Sequence, residues 1–176
     1  MHPYFAAKQR NRYAGAIYPV ADHALTEAAA VVDLDNMLHR GFDKISGRPR
    51  PQADLDIEGF CSELRGRGAY SGTICRNRAF REQDARSWHE QGFEVLAAGG
   101  NCDDVVAQEA RRYAAIGKRT IILVAGDGDY KKLATELRGR GVFIEVWARR
   151  ANHSAKLAQA ASRVRFIDQF LSQAAA

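Results

Sequence analysis

The 176-residue sequence predicts an α/β fold, a three-layer, doubly wound sandwich on a mainly parallel central sheet. Three observations predict it. Short apolar runs alternate with amphipathic stretches along the chain. Several of the runs finish in Gly or acidic residues, as buried parallel strands do at their carboxyl ends. The amphipathic stretches tend to open on acids and close on Gly, the order that the helix dipole and the C-terminal cap favour. A chain of this length is read as one domain with a core large enough to fold alone.

The elements follow in order. "AAAVVDLDNM" is a short apolar run ending in acids and forms the first strand. His39 to Asp54 carries Gly, two Pro and basic residues, so a loop is expected. "DLDIEGFCSELRGRG" places Leu55, Phe60 and Leu64 at roughly helical spacing before Gly66 and Gly68 end the helix. "AYSGTICR" is the second strand, "AFREQDARSWHEQG" a helix stopped by Gly92, and "FEVLAAGG" the third strand. "CDDVVAQEARRYAAIG" has Val106, Ala110, Tyr113 and Ala114 on one stripe and closes on Gly117. "RTIILVAG", the most hydrophobic strand, is expected at the centre of the sheet. "DYKKLATELRGRG" is the next helix and "VFIEVWA" the fifth strand. "SAKLAQAASRV" is a further helix, followed by a short "RFID" strand and a terminal helix. Trp88 and Trp147 are assigned to the core or an interface.

Bulk properties narrow the function. Hydrophobic residues make up 46% and charged residues 27%, ordinary for a soluble globular protein. Lys plus Arg number 26 against 21 Asp plus Glu, a net charge of +5 that favours an anionic partner, nucleic acid above all. Cys61, Cys75 and Cys102 match no zinc spacing and are read as reduced thiols of a cytoplasmic protein. No apolar run approaches membrane-spanning length, and the N-terminus has no hydrophobic signal core. That segment is a basic, Tyr-containing arm, either loosely packed or used to contact RNA or a second copy.

Acidic residues fall where ligands of parallel α/β sheets bind, outside the carboxyl ends of the strands. Asp33, Asp35 and Asn36 end the first strand. Asp103 and Asp104 follow the third, and Asp127 and Asp129 follow the fourth. Each pair alone has a plain explanation as a helix cap, a dipole partner or a turn. Three such groups converging would repel one another unless a cation neutralised them. An all-oxygen donor set suits Mg²⁺ or Mn²⁺, and no His or Cys cluster points to zinc. Gly126 and Gly128 leave room for close approach.

The succession "VVDLDNM", "NCDDVVAQEA", "IILVAGDGDYKKL", "GVFIEVWA" and "NHSAKLAQAASRVRFID" resembles the NYN domain of the PIN-like nuclease superfamily, over roughly Ala28 to Asp168. Asp33 and Asn36 match the family's strand-ending Asp and the Asn three residues on. Asp103 matches the Asp that opens a helix, and Asp104 resembles the paired Asp of the Regnase-type branch. Asp127, Asp129 and Tyr130 match Gly-Asp-x-Asp-Phe/Tyr. Ser154 and Leu157 match the late S-x-x-L, after which Ala161 and Ser162 stand where the family often has Ala-Asp. Glu109 falls where many members carry a further Asp, and is otherwise an exposed helix residue.

The resemblance implies metal-dependent cleavage of RNA phosphodiester bonds, with endonucleolytic action expected. It implies a basic arm over residues 1–27, the NYN domain over 28–170 and a tail over 171–176. Asp33, Asp103, Asp127 and Asp129 would hold one or two Mg²⁺ or Mn²⁺ ions. Asp104 would bind metal or act as general base, and Asn36 would orient Asp33, a water or a phosphate oxygen. PIN-like relatives often pair, so a homodimer is one open assembly.

A negative site acting on a negative polymer needs cationic surroundings. The candidates leaving strand carboxyl ends are Arg48 and Arg50, then Arg76, Arg78 and Arg81, then Lys131 and Lys132, and finally Arg149, Arg150, His153 and Lys156. Arg138 and Arg140 lie at the far end of their helix and are read as dipole partners. Tyr130 is assigned to packing beside the site, with base stacking as the alternative. Two other functions stay open. An RNA-binding or assembly module would keep the fold without activity. A haloacid dehalogenase-type phosphatase would use the Asp-x-Asp of "VVDLDNM", although Asn36 and Met37 depart from that family and Asp127 and Asp129 stand too close together.

Overall fold

The computed structural model describes residues 27–39 and 53–172. Arg48 and Arg50, and most of the expected loop and N-terminal arm, lie outside the described residues.

The predicted sandwich is the observed architecture. Strands β1 (Ala28–Asp33), β3 (Gly72–Arg76), β4 (Phe93–Ala97), β5 (Thr120–Val124), β6 (Phe143–Ala148) and β7 (Arg163–Phe166) form one sheet, ordered β4-β3-β1-β5-β6-β7. Every pairing in it is parallel. The "RTIILVAG" strand, β5, is central as expected, between β1 and β6. Helices α1 (Leu34–Leu38), α2 (Ile57–Gly66) and α3 (Glu82–Glu90) cover one face, and α4 (Asp103–Ala115), α5 (Lys131–Gly139) and α6 (Ala155–Ala160) the other.

Alternation along the strands builds two cores. Ala29 and Val31 of β1, Ile121 and Leu123 of β5 and Ile144 and Val146 of β6 pack against Val106, Ala110, Leu133, Leu137 and Leu157 of α4, α5 and α6. Ala30, Val32, Ile122, Val124 and Trp147 face the other way, onto Met37, Phe60, Leu64 and Trp88. Phe60 stands edge-on to three rings, with centroids at 6.3 Å from Trp88, 5.8 Å from Trp147 and 5.9 Å from Phe170. Both Trp are therefore core residues.

From β1 the sheet grows through β3 to β4, then the chain returns to the other side of β1 and continues through β5, β6 and β7. The direction of winding reverses between β1 and β5, and their carboxyl ends open the crevice where doubly wound folds place ligands. Asp33 ends one of these strands, and Asp127 and Asp129 follow the other.

Two expectations at the C-terminus change. The expected "RFID" strand, β7, begins at Arg163 rather than Arg165, because Ser162 already joins the sheet: its N–H donates to Ile144 O at 2.8 Å and its Oγ accepts from Ile144 N at 3.1 Å. In place of the start of a terminal helix, Asp168–Phe170 is a single 3-10 turn and Leu171–Ser172 is β8, antiparallel to β2 (Asp54–Leu55). Tertiary packing decides it. Phe170 and Leu171 pack against the Phe60 core, and Phe170 O accepts from Asp56 N at 2.9 Å. Among the described residues no helix is long and apolar enough to cross a membrane.

Candidate active site

The crevice at the β1/β5 reversal has two connected parts. One, about 440 Å³, is lined by Asp33, Asp35, Asn36, His39, Asn77, Arg78, Asn101, Asp103, Asp127 and Asp129. The other, about 670 Å³, shares Asn36, His39, Asp127 and Asp129 and extends past Gly126 and Gly128 to Asn152, Ser154 and Lys156. Asp33, Asp103, Asp127 and Asp129 thus bring four carboxylates from three separate chain segments into one cleft, and Asp35 lines it as a fifth.

Local structure aims each of them. Asp33 caps α1, its Oδ1 accepting from Asn36 N at 3.0 Å. Asp127 caps the 3-10 turn Gly128–Tyr130, its Oδ1 accepting from Asp129 N at 3.1 Å. Asp103 opens α4, and Asn101 brackets it: Asn101 Nδ2 donates to Asp103 Oδ2 at 2.7 Å, and Asp103 N donates to Asn101 Oδ1 at 3.2 Å. The bonds of Asp33 and Asp127 are the capping contacts that each would make without any further role, and Asp103 lies in the first turn of its helix, where the dipole favours an acid. What capping leaves unexplained is how the three segments come together.

Tyr130 supplies the junction. Its buried hydroxyl lies 2.7 Å from Asp33 Oδ2 and 2.9 Å from Asp103 Oδ1. The packing role expected for Tyr130 is correct, but its hydroxyl does more, tying β1 to the start of α4. Cys102 Sγ adds a weak contact to Asp33 Oδ1 at 3.4 Å. Asp33 is only 4% exposed, and burial raises its carboxyl above the ordinary range. The hydrogen bonds from Tyr130, Asn36 and Cys102 oppose that rise, and the charge of Asp103 adds to it. Burial beside Asp33 likewise pushes the Tyr130 phenol and the Cys102 thiol far up, so both stay protonated donors.

Asn36 does not orient Asp33 through its side chain. Its Oδ1 accepts from Gly126 N at 2.8 Å and so locks the exit of β5 to the exit of β1. Gly126 is required here, since a Cβ would stand 2.5 Å from Asn152 O. Asp35 faces Arg76, with Nη2 at 3.1 Å, and accepts from Asn77 N at 2.6 Å. Asn77 Oδ1 in turn accepts from Cys102 N at 3.0 Å.

The remaining candidates divide. Asp104 is exposed on the first turn of α4 and does not line the cleft. Glu109 is buried rather than exposed, accepting from Thr73 Oγ1 at 3.0 Å and Arg112 Nε at 2.8 Å, also away from the cleft lining. Arg78 and Lys156 line the cleft. Arg76 is engaged by Asp35, and Arg149 donates to His39 O at 2.6 Å. Arg150 is exposed and lies over the Phe166 ring at 4.4 Å, with His153 edge-on to the same ring at 5.2 Å. Arg81 and Lys132 are exposed, and Lys131 lines a different groove. Arg138 stands in the last turn of α5, as expected of a dipole partner, and also donates to Ala160 O at 3.1 Å and Ala161 O at 3.4 Å, holding the end of α6. Asn77, Asn101 and His39 line the cleft without having been singled out in the sequence. Asn101, two residues before the paired Asp, offered a capping signal; the other two lacked one.

The model for the NYN domain matches residues 28–169. The chain belongs to the NYN domain family. Among solved structures, the NYN fold here is similar to a protein of unknown function from Vibrio parahaemolyticus RIMD 2210633, with a TM-score of 0.65 at 21% identity, covering 86% of this chain and 99% of that one. No curated protein matches the chain. NYN and other PIN-like nucleases usually work with divalent metal, and the donors of this NYN cleft fit a hard cation in kind: the four carboxylates supply oxygen only, and among the described residues none is in an ion pair with Lys, Arg or His. They are not drawn into a finished cluster, since among the described residues no three His, Cys, Asp or Glu side chains are gathered at ligand spacing.

Proposed function

We propose that this NYN domain is a Mg²⁺- or Mn²⁺-dependent ribonuclease, and that Asp33, Asp103, Asp127 and Asp129 hold the metal. One observation carries the reading: the carboxylates of Asp33, Asp103, Asp127 and Asp129, from three chain segments, share a cleft at the topological switch point, Asp33 is buried, and none of the four is in an ion pair among the described residues. A bound divalent ion there supplies an activated water and charge stabilisation at the attacked phosphate. The chain's own residues do the rest. Tyr130 and Asn101 hold the carboxylates of Asp33 and Asp103 by hydrogen bonds. Asn36 fixes the backbone that carries Asp127. Arg78 and Lys156, on opposite parts of the cleft, attract the phosphates of the strand. Three free, buried cysteines support a reducing, cytoplasmic setting.

A second reading, RNA binding without cleavage, is favoured by the lack of three carboxylates at ligand spacing among the described residues. One experiment separates the two. End-labelled single-stranded RNA is incubated with Mn²⁺ or Mg²⁺ and either wild type or Asp127→Asn. Cleavage by wild type alone supports the ribonuclease. Equal cleavage by both points to contamination and removes the assignment, whereas salt-sensitive binding with no cleavage favours the binding module.

A further inference from the structure

A second groove of about 400 Å³ runs between α5 and α6. Lys131, Thr135 and Arg138 line it from one stripe of α5, and Gln159 lines it from α6. No acidic residue lines it. Charge pairing on α5 makes this stripe distinct. On another face of the helix Glu136 pairs with Arg111 at 2.7 Å and with Arg140 at 3.6 Å. Lys131 and Arg138 are in no ion pair among the described residues. Arg138 spends Nη1 on the Ala160 and Ala161 carbonyls and keeps its charge and further N–H donors.

Lys131 is the first residue of α5 and stands two residues after Asp129. From Lys131 to Arg138 the helix rises about 10 Å, more than one phosphate group requires. The remaining lining is Gly139 and Ala160, so no large apolar side chain is present to anchor a peptide. Two unpaired cations above a floor of small residues suit a polyanionic backbone recognised without regard to sequence.

We infer that the α5/α6 groove binds phosphates of the RNA strand beyond the bond being cut, so that long single strands are held at both the cleft and the groove. The inference rests on the proposed RNA substrate. It is tested in full-length Asp127→Asn protein, so that the strand is not cut, by fluorescence anisotropy against salt. Two labelled RNAs are used, a short one that fills only the cleft and a longer one. Arg138→Gln is expected to lower the salt slope for the longer RNA by about 0.7 and to leave the short one unchanged. Thr135→Glu, which leaves the Arg138 bonds in place, is expected to weaken the longer RNA selectively. An unchanged affinity and slope for the longer RNA in both variants overturns the groove, as does equal weakening of both lengths. Failure of the parent protein to bind either RNA overturns the substrate assignment as well.

Discussion

Asp33 occupies a position where a carboxylate is least welcome, at the end of a buried strand with the like charge of Asp103 beside it. Its folded pKa lies above the ordinary value near 3.9. The folded state therefore favours the protonated form, and the sign follows. The contribution of Asp33 to stability is fully present below the unfolded pKa and is lost as pH rises through the raised folded value. Asp33→Asn is expected to raise the melting temperature of the metal-free protein at neutral pH and to flatten its pH dependence in the acid range. Thermal melts of the two proteins across pH check this, and a lower melting temperature for Asp33→Asn would sink it. Tyr130→Phe removes one hydroxyl that serves two carboxylates. It should cost about 1–2 kcal/mol in urea unfolding and weaken Mn²⁺ binding by about tenfold, read by calorimetry. Unchanged Mn²⁺ affinity would leave Tyr130 a packing residue only. The sequence showed Asp33, Asp103, Asp127 and Asp129 by their position after strands. It did not show the Tyr130 junction, because a hydrogen bond spanning 97 residues leaves no local pattern.

At the scale of elements, two glycines in one loop differ in what they tolerate. A Cβ on Gly126 would meet the Asn152 backbone at 2.5 Å, whereas one on Gly128 would meet the Ser154 side chain at 2.8 Å. A side chain can rotate away, and the Ser154 hydroxyl is not tied up in capping α6. Gly126→Ala should cost about 1–3 kcal/mol in urea unfolding, and Gly128→Ala clearly less; equal losses would contradict the contact. Strands and helices with strong periodicity were legible because each buries one face or both, but α1 (Leu34–Leu38), inside the run read as the first strand, and β2 (Asp54–Leu55), inside the run read as a helix, are too short to show a period. The end of the chain was not legible either. β7 starts early through a bond from Ser162 to Ile144, and the expected helix gives way to a 3-10 turn and β8 because Phe170 packs on Phe60. Those are long-range contacts, and they override local propensity.

For the whole molecule, the cores lie on the two faces of the sheet and the candidate site lies at the carboxyl ends of its strands. The sheet is anchored by the two cores, in which Phe60 joins Trp88, Trp147 and Phe170. Phe60→Ala should cost about 3–5 kcal/mol, much of what a domain of this size has, and is read from the urea midpoint. Burial of Asp33 beside the charge of Asp103 works against that stability, and the proposed metal would offset it. Mn²⁺ at a hundred times its dissociation constant should add about 2.7 kcal/mol, and Asp127→Asn should remove most of the resulting shift in melting temperature. The resemblance of the acidic motifs to NYN proteins was readable from spacing alone; the reversal of winding between β1 and β5, which explains why those motifs meet, needed the strand order.

Asp35 carries a different lesson. It receives Arg76 and the Asn77 amide, Asn77 receives the Cys102 amide, and Cys102 reaches Asp33. An alanine scan scored by activity would group Asp35 with the carboxylates proposed to hold metal, although its bonds splice two loops together. Hydrogen–deuterium exchange tells the roles apart. The Asn77 and Cys102 amides should exchange as slowly as strand amides in the native protein and in Asp127→Asn, and become fast in Asp35→Ala.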